Sequence, residues 1–221
     1  MLSSLVLMNR GDHFEARPLP DLAQFAPAFG IVAADFDGDT HEDIFLSQNF
    51  FAVQPTTSRN DAGVGLLLLG DGKGGLIPRL PAESGIAVFG EQRAAAAADF
   101  DHDGRMDLAV TQNAAPTRLF RNTNSPPGLR VRLRGSPHNP QGIGASVRLR
   151  QADRWSGARE VQCGSGYWSQ NAATLVFAKK VGDAEIEVRW PGGALTRASV
   201  PTGAREITVP LETPFPNAKS Q

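Results

Sequence analysis

Short apolar runs broken by Gly, Asp, Asn and Pro fill the first part of the chain, with few helical periods among them. Residues 5–8, 31–34, 44–46, 66–69, 94–98 and 108–110 are such runs, and they predict strands. Residues 94–98 are all alanine, the best helix former. That run enters Asp99-Phe100-Asp101 directly, however, and matches Ile31-Val32-Ala33-Ala34 in position. A strand is therefore expected there too, in a place crowded enough to call for small side chains. From residue 129 the pattern becomes strict alternation. Leu129, Val131 and Leu133 share one face and Arg130, Arg132 and Arg134 the other. Residues 143–150, 158–162, 184–190, 194–200 and 206–209 read as further strands. The predicted fold class is all-β.

The first part repeats. Asp35 and Asp99 open equivalent loops, and Asn49 and Asn113 close the strands that follow; both pairs are 64 residues apart. One offset across a loop and its flanking strand indicates a structural repeat. Residues 5–14 and 66–76 share a second shape, an apolar run, a Gly-Asp turn and another apolar residue, and residues 117–122 look like the start of a third. About four short strands per repeat suit propeller blades.

Each loop carries aspartates at positions 1, 3, 5 and 9: Asp35, Asp37, Asp39 and Asp43, then Asp99, Asp101, Asp103 and Asp107. Four carboxylates this close repel one another, and a hard cation with oxygen ligands, Ca²⁺, is the natural counterpart. A pair of Asp-rich turns capped internally is the metal-free alternative. An EF-hand needs a bidentate Glu at position 12; here that position is Leu46 or Val110, which excludes it.

Charge sharpens the division of the chain. The net −1 conceals 9 basic against 16 acidic side chains over residues 1–128 and 13 against 7 afterwards, which is −7 followed by +6. A boundary near residue 128, after Ser125-Pro126-Pro127, follows from that step. All three tryptophans (Trp155, Trp168 and Trp190) lie beyond it. Cys163 is the one cysteine, so no intrachain disulfide forms. No run approaches the roughly 20 apolar residues of a membrane helix, so no membrane insertion is expected. Residues 1–8 lack the basic start and cleavage site of a signal peptide.

The Asp-x-Asp-x-Asp-Gly-x-x-Asp loops resemble those of FG-GAP/VCBS repeats in integrin-α-like β-propellers, which hold Ca²⁺ between strands. The resemblance implies side-chain ligation by Asp35, Asp37, Asp39 and Asp43 with the His41 carbonyl, and by Asp99, Asp101, Asp103 and Asp107 with the Arg105 carbonyl. Thr40 departs from the pattern where Gly104 stands in the second loop. A positive φ there would strain threonine, which makes the second loop the safer of the two. Residues 139–145 (NPQGIGA), 164–171 (GSGYWSQN) and 188–193 (VRWPGG) resemble, in that order, the ASPIC/UnbV domain that follows such repeats in cartilage-acidic-protein-like proteins. The expected organisation is a partial propeller of about two blades over 1–127, a small β domain over 128–213 and a tail over 214–221. Propellers need about four to eight blades, so the chain reads as a fragment of a longer protein or one with a misassigned start.

No G-x-S-x-G elbow, Walker loop or H-E-x-x-H motif occurs, and His13, His41, His102 and His138 are scattered. The expected function is a calcium-stabilised, noncatalytic binding or adhesion module; a propeller-platform enzyme acting on polysaccharide or peptide is the alternative. The family implies secretion or the cell envelope. The partner is an unidentified protein or carbohydrate, and nucleic acid is not expected. Exposed sheet edges would let the chain self-associate. Tyr167 and Trp168 read as core filling in a tight corner, with a carbohydrate or peptide contact as the competing role. Arg130, Arg132, Arg134, Arg148 and Arg150 read as a solvated face, with a basic stripe for an acidic polysaccharide or for the acidic propeller itself as the alternative.

Overall fold

The computed structural model describes residues 3–211, which leaves the 214–221 tail outside the described residues. The strand pattern is observed. A hairpin of β1 (Leu5–Asn9) and β2 (Phe14–Pro18) precedes a four-stranded antiparallel sheet of β3 (Ala28–Ala34), β4 (Asp43–Gln48), β5 (Leu66–Gly70) and β6 (Leu76–Arg79). A single helical turn, α1 (Pro81–Ser84), leads to the antiparallel sheet β7 (Glu91–Ala98), β8 (Asp107–Asn113) and β9 (Ala115–Phe120). The polyalanine run is a strand, as expected.

These three units pack face to face, and β4 explains how. Its successive side chains point to opposite sides of the pleat. Leu46 and Ile44 pack with Val6, Leu19, Leu66 and Leu68 towards the hairpin. Phe45, wholly buried, packs with Val32, Ala95, Leu108 and Val110 towards the next sheet. The middle sheet is thus covered on both faces. Strands β3 and β7 approach so closely that a Cβ on Gly30 would lie 2.8 Å from the Arg93 carbonyl oxygen and 2.9 Å from the Ala95 nitrogen. That crowding accounts for the glycine, and Ala95 and Ala97 fill the neighbouring space with small, buried side chains.

The C-terminal part builds two further sheets. Strand β10 (Leu129–Arg134) lies between β14 (Leu175–Phe177), antiparallel, and β17 (Glu206–Pro210), parallel. Strand β11 (Ser146–Gln151) pairs with β15 (Ala184–Arg189), and β15 with β16 (Leu195–Val200). The other edge of β11 takes two short strands, β12 (Arg154–Trp155) and β13 (Arg159–Glu160). Leu129, Val131, Val147, Phe177, Ile186, Val188 and Trp190 form one buried core between them.

Candidate metal centres

Both aspartate loops join the first strand of a sheet to its second, β3 to β4 and β7 to β8, and they are wired alike. The first aspartate folds each loop around itself. Asp35 accepts from the backbone N–H of Gly38 (2.8 Å), Asp39 (3.1 Å) and Thr40 (3.1 Å). Asp99 accepts from Asp103 and Gly104, both at 3.0 Å. The ninth-position aspartate ties the loop to the far end of the third strand. Asp43 accepts from Phe36 N–H (2.7 Å) and Gly70 N–H (2.9 Å), and Asp107 from Phe100 N–H (3.1 Å) and Asn122 N–H (2.7 Å).

Carboxylate oxygens of Asp35, Asp37 and Asp39 lie within 4.8 Å of one another, as do those of Asp99, Asp101 and Asp107. Asp43 and Asp103 fall outside these triads. Asp43 is occupied by its two backbone donors, and Asp103 turns to Arg105 (2.8 Å) and Arg121 (3.5 Å). The His41 ring reaches Asp39 at 3.0 Å, and Arg105 also holds the Ser125 carbonyl. Burial is the largest influence on several of these acids and pushes Asp35, Asp37 and Asp107 above the usual carboxylate range. Asp43, fully buried, is pushed up to about 6. The oxygen-only triads form a donor set that fits a hard divalent cation, and Arg121 Nε also reaches the Asp101 carboxylate at 2.6 Å.

The backbone also repeats. Positions 4 and 6 have positive φ in both loops: Gly38 (78°) and Thr40 (88°) in the first, His102 (63°) and Gly104 (85°) in the second. Thr40 therefore does hold the left-handed conformation that its β-branched side chain disfavours. Thr40→Gly is expected to stabilise the protein by ~1 kcal/mol, raising Tm by about 2–4 °C at this chain length. A thermal melt showing a lower Tm would contradict that reading of the loop.

The two loops lie side by side under the C-terminal part. Asn122 Nδ2 donates to the carbonyls of Phe36 (2.7 Å) and Met106 (3.1 Å), bridging them. The linker packs on both: a Cβ on Gly38 would meet Pro126 at 2.9 Å, and Gly128 N–H donates to the Gly104 carbonyl at 2.7 Å. Two arginines complete the contact. Arg130 Nε lies 2.7 Å from Asp99 Oδ2, and Arg159 Nη2 lies 3.6 Å from Asp35 Oδ2 while its Nε also reaches Glu42. Sequence reasoning missed Arg159 and gave Arg130 a contact with the acidic part of the chain only as the less favoured alternative. Arg130 was expected on a solvated face, yet its side chain is only 12% exposed. Of the other strand arginines, Arg132 pairs with Glu206, which also meets Arg130, while Arg148 pairs with Glu187 and Arg150 with Asp153.

The 164–171 motif also departs from expectation. Trp168 is 88% exposed, and the core aromatics are Phe177 and Trp190 instead. Tyr167 leaves the small domain to pack edge-on against Phe29 of β3, with ring centroids 5.7 Å apart. Asn171 Oδ1 accepts from Ala97 N–H (2.9 Å), and Ala172 N–H donates to the Ala97 carbonyl (3.0 Å), so the motif lies along the exposed edge of β7. Trp168 itself has φ 52°, an unfavourable conformation for a bulky residue. Cys163, beside the motif, is exposed.

Residues 135–213 match the family model described as ASPIC and UnbV. Cartilage acidic protein 1 of Mus musculus is 28% identical over 203 residues, 89% of this chain and 30% of that protein. The chain thus spans 30% of the length of the curated relative it matches. Both findings support the ASPIC/UnbV-like reading of the C-terminal domain. No helix among the described residues is long and apolar enough to cross a membrane.

Proposed function

We propose that the chain is a calcium-stabilised, noncatalytic binding or adhesion module of a secreted or cell-envelope protein, built from FG-GAP/VCBS blades of a β-propeller and an ASPIC/UnbV domain. The observation that carries this is a carboxylate triad in each loop, Asp35–Asp37–Asp39 at positions 1, 3 and 5 and Asp99–Asp101–Asp107 at positions 1, 3 and 9, both folded around the first aspartate by backbone N–H groups. Bound Ca²⁺ would supply charge and a crosslink among oxygens of separate residues. The chain's own part is to hold the triads in place: Asp35 and Asp99 shape the loops, and Asp43 and Asp107 fasten them to the sheet. Similarity to a protein named cartilage acidic protein 1 supports this reading.

A binding role is favoured over an enzymatic one by Trp168, whose ring is presented to solvent beside Tyr167, 6.3 Å away between centroids. Such a pair offers flat, amphipathic area to a protein or carbohydrate ligand. Leu5, Leu7 and Phe14, 49%, 61% and 66% exposed, form the open face of the first hairpin, where self-association would occur. Calcium titration with a thermal-melting readout tests the central claim. At 100-fold excess over Kd the stabilisation is about 2.7 kcal/mol, or roughly 5–10 °C. An unchanged Tm in millimolar Ca²⁺ would sink it.

A further inference from the structure

Each acidic loop meets one arginine of the C-terminal domain, and each arginine meets the same position in its loop. Arg130 faces Asp99 and Arg159 faces Asp35, the first-position aspartates whose side chains are 0% and 2% exposed. The arginines reach them from different sheets, Arg130 from β10 and Arg159 from β13. Both guanidinium groups are nearly buried, at 12% and 14% side-chain exposure. Arg130 Nε is fully enclosed with no aligned hydrogen-bond acceptor, so the carboxylate 2.7 Å away acts on it chiefly as a charge. Arg159 is fixed further by the Val176 carbonyl and by the Phe177 ring, 4.8 Å from its guanidinium carbon. Burying a cation in this way is costly unless an anion answers it. Glu206 on the neighbouring strand shares Arg130 and Glu42 shares Arg159, so the domain rests on the loops in part through the charge of Asp99 and Asp35.

We infer that Arg130 and Arg159 are counter-charges of the two loops, and that docking of the C-terminal domain and cation binding oppose one another. The inference rests on the calcium reading proposed above. A divalent cation held by Asp99 or Asp35 would lie within a few ångströms of a guanidinium group in a poorly solvated space, where repulsion between like charges is strong. Each arginine thus lowers the cation affinity of its loop. By linkage, each bound cation weakens the docking by the same factor. The ASPIC/UnbV domain becomes a regulator of the loops, tuning them to respond at higher cation concentration than the bare carboxylates would.

The test uses the full chain freed of metal and titrated calorimetrically with CaCl₂. Arg130→Met and Arg159→Met should each tighten binding about tenfold, within the usual range of coupling between sites. Arg130→Lys and Arg159→Lys, which keep the charge, should stay near the wild type. Hydrogen exchange on the unaltered protein provides a reading independent of any variant's folding. The Ala97 and Ala172 amides, which bond across the domain contact, should exchange faster when Ca²⁺ is added. Methionine variants that bind while the wild type does not would also support the inference. Binding by the wild type with equal or weaker affinity in the methionine variants would overturn it and leave the calcium reading standing, as would slowed or unchanged exchange at both amides. Absence of binding in every form would overturn both.

Discussion

Replacing Asp107 with alanine is expected to lower stability by about 3 kcal/mol in the presence of EDTA, because two backbone donors lose their acceptor. Phe100 N–H and Asn122 N–H both point at this carboxylate, which is 2% exposed. The second of these bonds matters more to the fold. Asn122 also bridges the carbonyls of Phe36 and Met106, so loosening it separates the two loops as well as the end of β9. Relief of the buried charge offsets part of the loss. At this chain length the drop corresponds to roughly 6–12 °C in Tm. Asp107→Asn keeps one acceptor and should fall between the two. EDTA removes any contribution from bound cation, and an alanine variant melting within 2 °C of the wild type would refute the fastening role.

The metal-free protein should also lose stability as pH rises from about 4 to about 6.5. Asp43 has its carboxyl pushed up to about 6 by burial, against 3.8 for the unperturbed group. The folded state therefore holds this proton more tightly than the unfolded chain does. The resulting stability is fully present below the unfolded value and is lost as pH climbs through the folded one, about 3 kcal/mol in all. Asp35, Asp37 and Asp107 are raised in the same direction, again chiefly by burial. Glu187 behaves oppositely: burial opposes its ionisation, but Arg197 and Arg148 outweigh it and lower its value. Its contribution is lost only at more acid pH, so it does not mask the effect. Millimolar Ca²⁺ should reverse the slope, because cation binding needs the ionised carboxylates. Melts across pH 4.5–6.5 decide the matter; a Tm that rises with pH in EDTA would show that the loops are neutralised in some other way.

Much of this arrangement could be read from the residues. Alternation fixed the faces of β10, and the 64-residue echo revealed that the two loops would share their wiring. Position 6 was flagged through Thr40, whose φ of 88° bears out the reason for the concern. What escaped was long-range. Alternation tells that Arg130 leaves its own core, but whether it then meets water or Asp99 depends on how one part of the chain sits on another. The same holds for Tyr167 and Trp168, which look like core residues by type and instead leave the small domain, because Phe29 and the edge of β7 lie beside them. Strand β13 was expected over 158–162 and is only Arg159–Glu160. Its pairing with β11 covers just Ser146 and Val147, and Val161 then turns into the core.

The parallel pairing of β10 with β17 has a consequence for the newly made chain. Arg130 and its strand partner Glu206 are separated by 76 residues. At synthesis rates of about 5–20 residues per second, roughly 4–15 s pass between the emergence of one and the other. Asp99, in contrast, is already made when Arg130 appears. In the nascent protein the acidic loop is thus the first lasting partner of β10, which it can hold in place until its neighbouring strand arrives.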